Sequence, residues 1–442
     1  MGTREVPFSG LLSDVIDNRG KTCPTADSGI PLIATNCIRN ELLYPTYEKV
    51  RFVSPQTYST WFRGHPRPGD ILFVNKATPG RVCLVPDPVD FCIAQDMVAV
   101  RADPNKVYPR YLFAVLRSPI AQERIARMHV GTLIPHFKKG DFDKLFLPLP
   151  GSEEQKFIGD IYFELSAKIE LNRRMSETLE AMARALFKSW FMDFDPVRAK
   201  AEGRDSGLPQ PLADLFPARL VDSELGEIPE GWEVAGLGEM INTVKGTSYR
   251  SEELAESDTA LITLKSFARG GGYRADGLKS FSGVYKPAQV VVPGEIVIAC
   301  TDVTQAAEVI GRPAVARATN EFRTLVASLD TLIVRPREPE MTRSFLYFLA
   351  GTEEFAAHTY AYTTGTTVLH LSKDAVPSFR FACPPPELVK LFEFTGSSVL
   401  GRLQAIDQES DVLANMRDAL LPKLISGELR VPDAERLVEA AQ

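Results

Sequence analysis

The sequence predicts an α+β fold in which two similar mixed α/β domains are separated by two long helices, packed as an antiparallel coiled coil, with a pseudo-twofold internal repeat. Three observations predict this fold. Short β-type runs cut by Gly and Pro occur in two blocks, a long helical segment follows each block, and motifs of the first half return in the second half. At 442 residues the chain has room for two or three separate cores.

The repeat is clearest where each block of strands ends. The stretch HVGTLIPHFKK, which begins at His129, is answered by TTGTTVLHLSK, which begins at Thr363, so that His136 and His370 lie 234 positions apart (370 − 136). A proline-containing strand follows each stretch, and LEAMARALF in the first long helix is answered at the same offset by LANMRDALL in the second. An offset held from a globular segment into a helix indicates that one unit, a domain plus a helix, occurs twice.

The first block, residues 1–150, is predicted to be a mixed α/β domain with one amphipathic helix from Pro109 to about Met128. The second block, residues 232–386, has the same order of elements. The offset is 225 at the Pro-Gly turns (293 − 68) and 234 later, so the second copy carries extra residues between these points. Insertions of this kind are typical of surface loops. The predicted strands include Ile30–Ile33, Asp70–Val74 and Met97–Val100 in the first block, and Thr259–Leu264 and Pro293–Ile298 in the second.

A long helix is predicted from Glu153 to about Asp193, with Gly159 as its one internal glycine and no internal proline. Apolar residues dominate its heptad positions, and the polar residues Lys168 and Asn172 interrupt them near the middle, as register-setting residues do in coiled coils. About 40 residues at 1.5 Å each span about 60 Å, more than one face of such a domain. Pairing of the two helices is therefore favoured over the alternative, two surface helices that each pack on their own domain.

The composition excludes several classes of protein. No apolar run reaches the roughly 20 residues that a membrane span needs, and the N-terminus lacks the apolar core of a signal peptide. The six cysteines form no C-x-x-C pair, which indicates buried thiols in a reducing cytoplasm. The net charge is −7, but residues 1–150 hold about five more basic than acidic residues, so local contact with nucleic acid remains compatible with it.

Several stretches carry a family resemblance. They are LPLPGSEEQ ending at Gln155, KIELNRRMSETLEAMARALFKSWF followed by DFDP, the connecting VDSELGEIPEGW ending at Trp232, and LLPKLISGEL near the C-terminus. Together they resemble the specificity subunit of a type I restriction–modification system, and the resemblance covers nearly the whole chain. The chain departs from the pattern at Pro384-Pro-Pro-Glu-Leu388, where the first copy has Glu-Glu-Gln155, which affects only the start of the second helix.

The resemblance implies a domain plan and a set of partners. Each of two target-recognition domains reads half of a bipartite sequence in double-stranded DNA, and the helices hold the domains apart and dock two adenine-N6 methyltransferase (modification) subunits. S-adenosylmethionine is expected on the partner, with no cofactor or metal in this chain, and a restriction and translocation subunit is a further partner in such systems. The expected plan is domain 1 at 1–150, spacer helix 1 at 151–195, a linker at 196–231, domain 2 at 232–386, spacer helix 2 at 387–426 and a tail at 427–442.

No catalytic constellation is present in the sequence. It lacks an Asn/Asp-Pro-Pro-Tyr/Phe tetrapeptide, a Phe-x-Gly-x-Gly loop, a phosphate-binding G-x-x-x-x-G-K-S/T loop and an H-E-x-x-H pair. Gly270-Gly-Gly272 is interpreted as a flexible turn. A free-standing nuclease and a protein-binding adaptor without a DNA role are the alternatives to a DNA-specificity subunit; half-sites on one face of the duplex would lie about one helical turn apart.

Candidate DNA-binding residues are polar side chains on loops that follow the Pro-Gly strands or on the repeated stretches, because such groups read base edges and phosphates. The alternative for the loops is ordinary solvated hairpins, and for the two histidines it is a packed structural role. The candidates are Asn75, Lys76, Thr78, Arg81, Thr132, His136, Lys138, Lys139, Lys245, Thr247, Tyr249, Arg250, Lys265, Thr301, Asp302, Thr304, Gln305, Arg312, Thr366 and His370.

An aromatic stripe ends the first long helix at i, i+3, i+4 and i+7. Its members are Phe187, Trp190, Phe191 and Phe194. Two interpretations are open: contact with the second helix or domain, and a docking face for a modification subunit.

Overall fold

The structure is a computed structural model that describes residues 4–18, 20–128, 135–303, 307–319, 321–337 and 341–430. The chain divides into two compact units, unit 1 (residues 1–174 and 409–442) and unit 2 (residues 175–408). Among the described residues, no helix combines the length and apolar character that crossing a bilayer requires. The helices are α1 (Pro55–Thr60), α2 (Pro109–Arg117), α3 (Pro119–Met128), α4 (Ser152–Phe191), α5 (Asp195–Ala201), α6 (Gln210–Ala213), α7 (Arg343–Ala350), α8 (Glu353–Ala361) and α9 (Pro386–Ser426).

The two long helices are confirmed as α4 and α9, of 40 and 41 residues. Glu153 and Glu154 lie in the first turn of α4, where acidic side chains interact favourably with the helix dipole. The internal Gly159 faces α2 so closely that a Cβ atom at this position would lie 2.5 Å from the Tyr111 backbone nitrogen. The one helical glycine of the heptad segment is therefore a point of close approach between α4 and its own domain.

The prediction of one helix from Pro109 to about Met128 is wrong in one respect: the segment forms two helices, α2 and α3. Ser118 adopts φ −63° and ψ 149°, an extended conformation, and ends α2. The following Pro119 explains this, since the ring of a proline disfavours helical backbone in the residue before it. The Ser118 hydroxyl then accepts a hydrogen bond from the Ala121 backbone N–H at 3.3 Å, which satisfies one free donor at the start of α3.

Unit 1 contains a four-stranded antiparallel sheet in the order β2-β8-β5-β6 and a three-stranded sheet in the order β4-β3-β7, in which β3 and β7 are parallel. Every residue of β5 is buried, with Ile71 and Phe73 in one core cluster and Leu72 and Val74 in another. Alternate side chains of a strand point to opposite faces, so β5 is apolar throughout because both faces are covered. The strands of unit 1 are β1 (Arg4–Pro7), β2 (Leu12–Asp17), β3 (Ile30–Ile33), β4 (Arg51–Val53), β5 (Ile71–Val74), β6 (Val82–Leu84), β7 (Cys92–Ile93), β8 (Met97–Ala102) and β9 (Phe146–Leu149).

Unit 2 has sheets in the orders β13-β21-β17-β19 and β15-β14-β20-β16, and β14 and β20 are parallel. A further pair, β12-β24, corresponds to β1-β9 of unit 1. The strands are β10 (Leu220–Ser223), β11 (Gly226–Pro229), β12 (Glu233–Gly236), β13 (Ile241–Lys245), β14 (Thr259–Ile262), β15 (Lys279–Ser280), β16 (Val290–Val291), β17 (Ile296–Ala299), β18 (Thr301–Asp302), β19 (Pro313–Val315), β20 (Thr324–Ala327), β21 (Thr331–Pro336), β22 (Thr363–Thr364), β23 (Leu369–Leu371) and β24 (Arg380–Cys383).

The segment between the predicted units, which its Pro, Asp and Gly content led us to interpret as a wandering linker, is ordered. It contains α5, α6 and the antiparallel pair β10-β11. Val197, Phe216 and Ile228 are buried in the same core cluster as Phe345 and Phe392. The apolar residues scattered through this polar segment therefore anchor it to unit 2, which composition alone does not reveal.

Within unit 1, the described parts of α4 and α9 run antiparallel. Ser166 accepts a hydrogen bond from the Arg417 guanidinium at 3.5 Å, whereas Asn172, six residues further along α4, donates to Glu409 Oε2 at 2.9 Å and to Ser410 Oγ at 3.3 Å. Lys168 adds an ion pair to Glu409 at 3.3 Å. The two polar heptad positions of α4 thus meet polar groups of α9 in one layer.

Candidate nucleic-acid interface

In unit 1, polar residues collect at one end of the four-stranded sheet. Strand β5 ends at Val74, which pairs with Met97 at the start of β8, and β2 ends at Asp17, which pairs with Val98. Three strand termini therefore meet at the same edge of the sheet. The loop that leaves β5 carries the candidates between residues 75 and 81.

The repeated stretch lies directly against this loop. The Phe137 N–H donates to the Asn75 carbonyl at 2.8 Å, the Asn75 Nδ2 donates back to the Phe137 carbonyl at 2.9 Å, and Lys76 and His136 form an antiparallel bridge. Two groups of candidates that lie about 60 positions apart in sequence thus form one surface. We call residues 75–81 with 135–139 the polar edge of unit 1.

Unit 2 forms the same arrangement. Thr301 pairs with His370, and the Leu371 N–H donates to the Cys300 carbonyl at 2.8 Å. These residues stand at the offsets of 225 (300 − 75) and 234 (371 − 137) from their counterparts in unit 1. We call residues 300–303 and 307–312 with 369–373 the polar edge of unit 2.

Most candidates at or near the two edges retain accessible side chains. Thr132, Thr304 and Gln305 lie outside the described residues. The exposed candidates are Lys76, Arg81, Lys138, Lys139, Lys245, Arg250, Lys265, Thr366 and His370, and the half-buried ones are Thr78, His136, Thr247, Tyr249 and Arg312.

Three candidates are buried, and we assign them to internal support instead of base contact. Asn75, Thr301 and Asp302 are 7%, 7% and 2% exposed. Asn75 holds Phe137, and Thr301 donates from its hydroxyl to Asp330 Oδ1 at 2.9 Å. The Asp302 carboxylate accepts backbone hydrogen bonds from Val309 at 2.8 Å and Ile310 at 3.2 Å. All three side chains already have hydrogen-bond partners inside the protein, as buried polar groups usually do.

Arg250 and Lys265 lie apart from the backbone pairing that forms the edge of unit 2. Arg250 precedes the short turn 251–253, where its N–H donates to Glu253, and Lys265 follows β14 in the second sheet. Thr247 is closer, since its carbonyl accepts from Leu329 and Cys300 donates to the neighbouring Asp330 carbonyl. The edge therefore gathers Thr247 with the candidates of β18 and β23.

The two edges differ in charge at matching positions. In unit 1, Lys139 pairs with Asp17 at 3.6 Å and Lys76 lies 3.8 Å from Asp96. In unit 2, Lys245 stands at the position of Asp17, because their strand partners Leu332 and Val98 are 234 positions apart (332 − 98). The position of Lys139 is again a lysine, Lys373 (373 − 139 = 234). An acid–base pair in unit 1 thus becomes two lysines in unit 2.

Sequence reasoning missed the acidic members of the edges. Asp96 and Asp330 lie at matching positions, 234 residues apart (330 − 96), and each offers its carbonyl to the residue that follows the central strand, Asn75 at 3.0 Å and Cys300 at 2.7 Å. The constant offset was a signal that could have found them.

Burial raises the pKa of the Cys300 thiol to about 12, so it stays protonated near neutral pH and is not a nucleophile.

In unit 2, the Arg312 side chain is paired with an acidic side chain of the same unit. Its guanidinium forms two hydrogen bonds to Glu353, at 3.0 and 3.2 Å. The Arg312 side chain is 17% exposed, whereas that of Glu353 is 82% exposed. Contact between Arg312 and DNA would therefore exchange a carboxylate on α8 for a phosphate or a base.

The aromatic stripe of α4 is part of the core of unit 2, so its interpretation as a docking face is corrected. All four side chains, Phe187, Trp190, Phe191 and Phe194, are buried. Phe187 and Phe191 pack against Phe392 with ring centroids 5.1 and 5.5 Å apart, and Phe194 packs against Trp232 at 5.6 Å. The other interpretation, contact with the second helix and domain, describes the stripe, because large aromatic rings are stabilised by burial against one another.

Within the described residues, no group of three or more His, Cys, Asp or Glu side chains is arranged to hold a metal ion. The two edges present ammonium, guanidinium, hydroxyl and imidazole groups on a surface held by backbone pairing.

Comparison with known proteins gives matches that share one description. Residues 21–181 match the family model described as type I restriction modification DNA specificity domain. The HindI specificity subunit of Haemophilus influenzae is 25% identical over 413 residues, which cover 82% of this chain and 86% of that protein. The MjaIX specificity subunit of Methanocaldococcus jannaschii is 23% identical, over 83% of this chain and 78% of that one.

Solved structures of similar description cover nearly the whole chain. The HsdS subunit from Thermoanaerobacter tengcongensis has a TM-score of 0.34 at 19% identity, with 97% of each chain covered. The type I restriction-modification S subunit from M. genitalium has a TM-score of 0.48 at 16% identity, with 96% of each chain covered.

Proposed function

We propose that the chain is the specificity subunit of a type I restriction–modification system and that each of its two recognition domains reads one half of a bipartite target in double-stranded DNA. One observation carries the proposal: the same polar edge is formed twice by equivalent backbone hydrogen bonds, with different exposed side chains on each copy. The same backbone arrangement with different exposed side chains suits the recognition of two different half-sites. The relatives, which are themselves named specificity subunits, support the same function.

We propose recognition domains at 1–150 and 232–386, related by an internal pseudo-twofold repeat and separated by α4 and α9 as an antiparallel coiled coil. The matching sheet orders of the two units and the polar layer around Asn172 support this plan. A buried asparagine in such a seam favours one register of the helices, at some cost in stability.

The exposed cations of the two edges supply the phosphate contacts that fix the protein on the duplex. Lys138 and Arg81 in unit 1, and Lys245 and Lys373 in unit 2, are exposed. Each cation that neutralises a phosphate adds affinity that falls with salt and is independent of sequence. Selectivity then depends on the groups between them, such as His136 and Thr78 in unit 1 and His370 and Thr366 in unit 2.

Catalysis belongs to the partners in this proposal. Two modification subunits, each with S-adenosylmethionine, dock on the long helices and methylate one adenine per half-site; a restriction and translocation subunit joins them in a complete system. Exposed apolar side chains on the helices support docking there: Leu171 and Val412 in unit 1, and Met182 and Phe394 in unit 2. Contiguous apolar patches exposed on a surface are typical of protein contacts, and these side chains are the candidates for such patches.

The test is to co-express the full chain with its modification subunit and map N6-methyladenine across the host genome. We expect one motif with two specified blocks separated by unspecified bases. Exchange of residues 1–150 for those of another specificity subunit should change one block and leave the other unchanged. A contiguous motif, or none, would contradict the proposal; cleavage by the purified chain with a divalent metal would instead favour a nuclease.

A further inference from the structure

We propose that each polar edge is held in place by a brace, and that the brace consists of different residues in the two units: the Arg117 guanidinium in unit 1 and the glycine turn at 268–272 in unit 2. The inference rests on the proposed function, since it assigns positioning residues to the surfaces that read DNA. It gives a role to Gly270–Gly272, which the sequence alone presents as a flexible turn.

In unit 1 the brace holds the strand that leaves the edge. Strand β6 starts at Val82, directly after the candidate Arg81, and lies at the outside of its sheet. The Val82 N–H donates to the Asn40 Oδ1 at 2.9 Å, and the Val82 carbonyl accepts from Arg117 Nη2 at 2.8 Å and Nε at 3.3 Å. Arg117 Nη2 also donates to the Leu42 carbonyl.

These hydrogen bonds fix both backbone groups of Val82. Arg117 is 8% exposed, and its guanidinium stacks on the Phe113 ring at 4.3 Å. A charged donor in a buried place cannot exchange its carbonyl partners for water, so a shift of β6 would leave the charge unsatisfied. The position of Arg81 is thereby tied to α2.

In unit 2 the equivalent strand, β19, starts at Pro313 directly after the candidate Arg312. The correspondence follows from the register, since Val82 pairs with Phe73 and Pro313 pairs with Ile298, which are 225 positions apart (298 − 73). Proline has no N–H, so no acceptor like Asn40 is needed. The position of Arg117 is taken by Gly351 (351 − 117 = 234), so the guanidinium is missing as well.

In unit 2 the glycine turn donates the hydrogen bond to the backbone carbonyl of the first residue of β19, as Arg117 does for β6 in unit 1. The Gly272 N–H donates to the Pro313 carbonyl at 2.9 Å, and the Gly270 N–H donates to the Glu308 carbonyl at 2.9 Å. Arg269 adds an ion pair to the Glu308 side chain at 3.2 Å. The turn therefore contacts the described segment 307–313 at both of its ends.

Only glycine fits this turn without strain. Gly270, Gly271 and Gly272 have φ values of 78°, 106° and 97°, and a Cβ atom on Gly271 would lie 3.3 Å from the Pro313 carbonyl oxygen. Other residues disfavour positive φ, and three in succession would not hold this path. The turn is a rigid support whose N–H groups point at the segment that carries Arg312.

The experiment measures each half-site separately. The full chain is expressed with its modification subunit and a plasmid library in which every base of the target is varied, and methylation is read by sequencing. In Arg117→Met, we expect discrimination at the half-site of unit 1 to fall about tenfold, the size of one lost base contact, with the other half-site unchanged. In Gly271→Ala we expect the reverse, and in Arg117→Lys, which keeps a cationic donor, most discrimination should return.

Two controls separate positioning from stability. Gly226→Ala adds a methyl group at φ 91° in unit 2 where no atom lies within 4 Å, so it imposes the backbone strain without disturbing the brace, and both half-sites should keep their discrimination. If Arg117→Met fails to assemble, Asn40→Ala removes the other support of Val82. Lower total methylation with unchanged base preferences at both half-sites would overturn the inference. A wild type without a bipartite motif would refute the proposed function instead.

Discussion

At the scale of single residues, substitution of Lys138 distinguishes a residue that contacts phosphate from one that reads a base. Its exposed side chain follows Phe137, whose backbone is bound to Asn75, so its position at the edge of unit 1 is fixed. We expect Lys138→Ala to weaken DNA binding of the assembled complex to the same extent on all sequences and to reduce the slope of log affinity against log salt by about 1. Titration of target and non-target duplexes over a range of salt concentrations measures both.

A matched control for this prediction is Lys156→Ala on α4, an exposed lysine outside the edge that pairs with Asp160 at 3.3 Å. We expect it to leave the salt slope unchanged. An effect of Lys138→Ala confined to one sequence would assign base reading to this residue and contradict the prediction.

Glu170 provides a prediction about pH. Burial by itself would raise the pKa of this carboxyl group, but hydrogen bonds from Arg173 and Arg174, at 2.7 to 2.9 Å, outweigh burial and hold its pKa below the usual 4.5. Because the folded pKa lies below the unfolded one, the stabilisation is complete above pH 4.5 and is lost as the pH falls through the folded value. We expect Glu170→Gln to lower the free energy of unfolding by about 1–3 kcal/mol at pH 7, and the difference from wild type to shrink as the pH falls below 4.5.

Denaturant unfolding of both proteins between pH 2 and pH 8 measures this difference, because the loss is expected below pH 4.5. Glu164→Gln, at an exposed position of the same helix, should show no comparable loss at pH 7. A penalty for Glu170→Gln that is constant over the whole range would show that lost packing, not charge, causes it.

At the scale of elements, Gly159 decides how closely α4 approaches α2. Alanine usually stabilises a helix interior by about 1 kcal/mol relative to glycine. At residue 159, however, its Cβ would lie 2.5 Å from the Tyr111 nitrogen and 2.9 Å from the Arg110 carbonyl carbon. We expect Gly159→Ala to be destabilising by about 1–3 kcal/mol, because backbone atoms cannot move aside as a side chain can. The thermal midpoint of the full chain is the measurement.

Gly401→Ala on α9 is the matched control, since nothing lies within 4 Å of its Cβ position. It should raise the thermal midpoint. If both variants were stabilising, the close contact between α4 and α2 would not exist as described.

The sequence predicts elements better where a pattern is long than where a single contact decides. The heptad pattern gave α4 to within two residues at each end. The break at Pro119 had a clear local signal that helical periodicity concealed. By contrast, the burial of Asn75 and Thr301 depends on hydrogen-bond partners from distant segments, Phe137 and Asp330, which no local pattern contains.

At the scale of the whole molecule, the proposal is that one chain binds two copies of the same partner through its long helices. Leu171 and Val412 in unit 1 are 57% and 52% exposed, and Met182 and Phe394 in unit 2 are 64% and 77% exposed. Because these side chains contribute little to either core, replacing them with lysine should change the stability of the free chain by less than about 0.5 kcal/mol. Burying a lysine in an apolar contact with a partner is far more costly, since the charge must be removed from water.

The chain with both Leu171→Lys and Val412→Lys, and the chain with both Met182→Lys and Phe394→Lys, should therefore each bind one modification subunit in place of two. Native mass spectrometry of the purified complexes counts the subunits directly, and the thermal midpoint of each free chain shows that folding is intact. Loss of both partners from either variant would mean that the two copies stabilise each other. Retention of both in each variant would exclude these helix faces as docking surfaces and move the partner contact to the recognition domains.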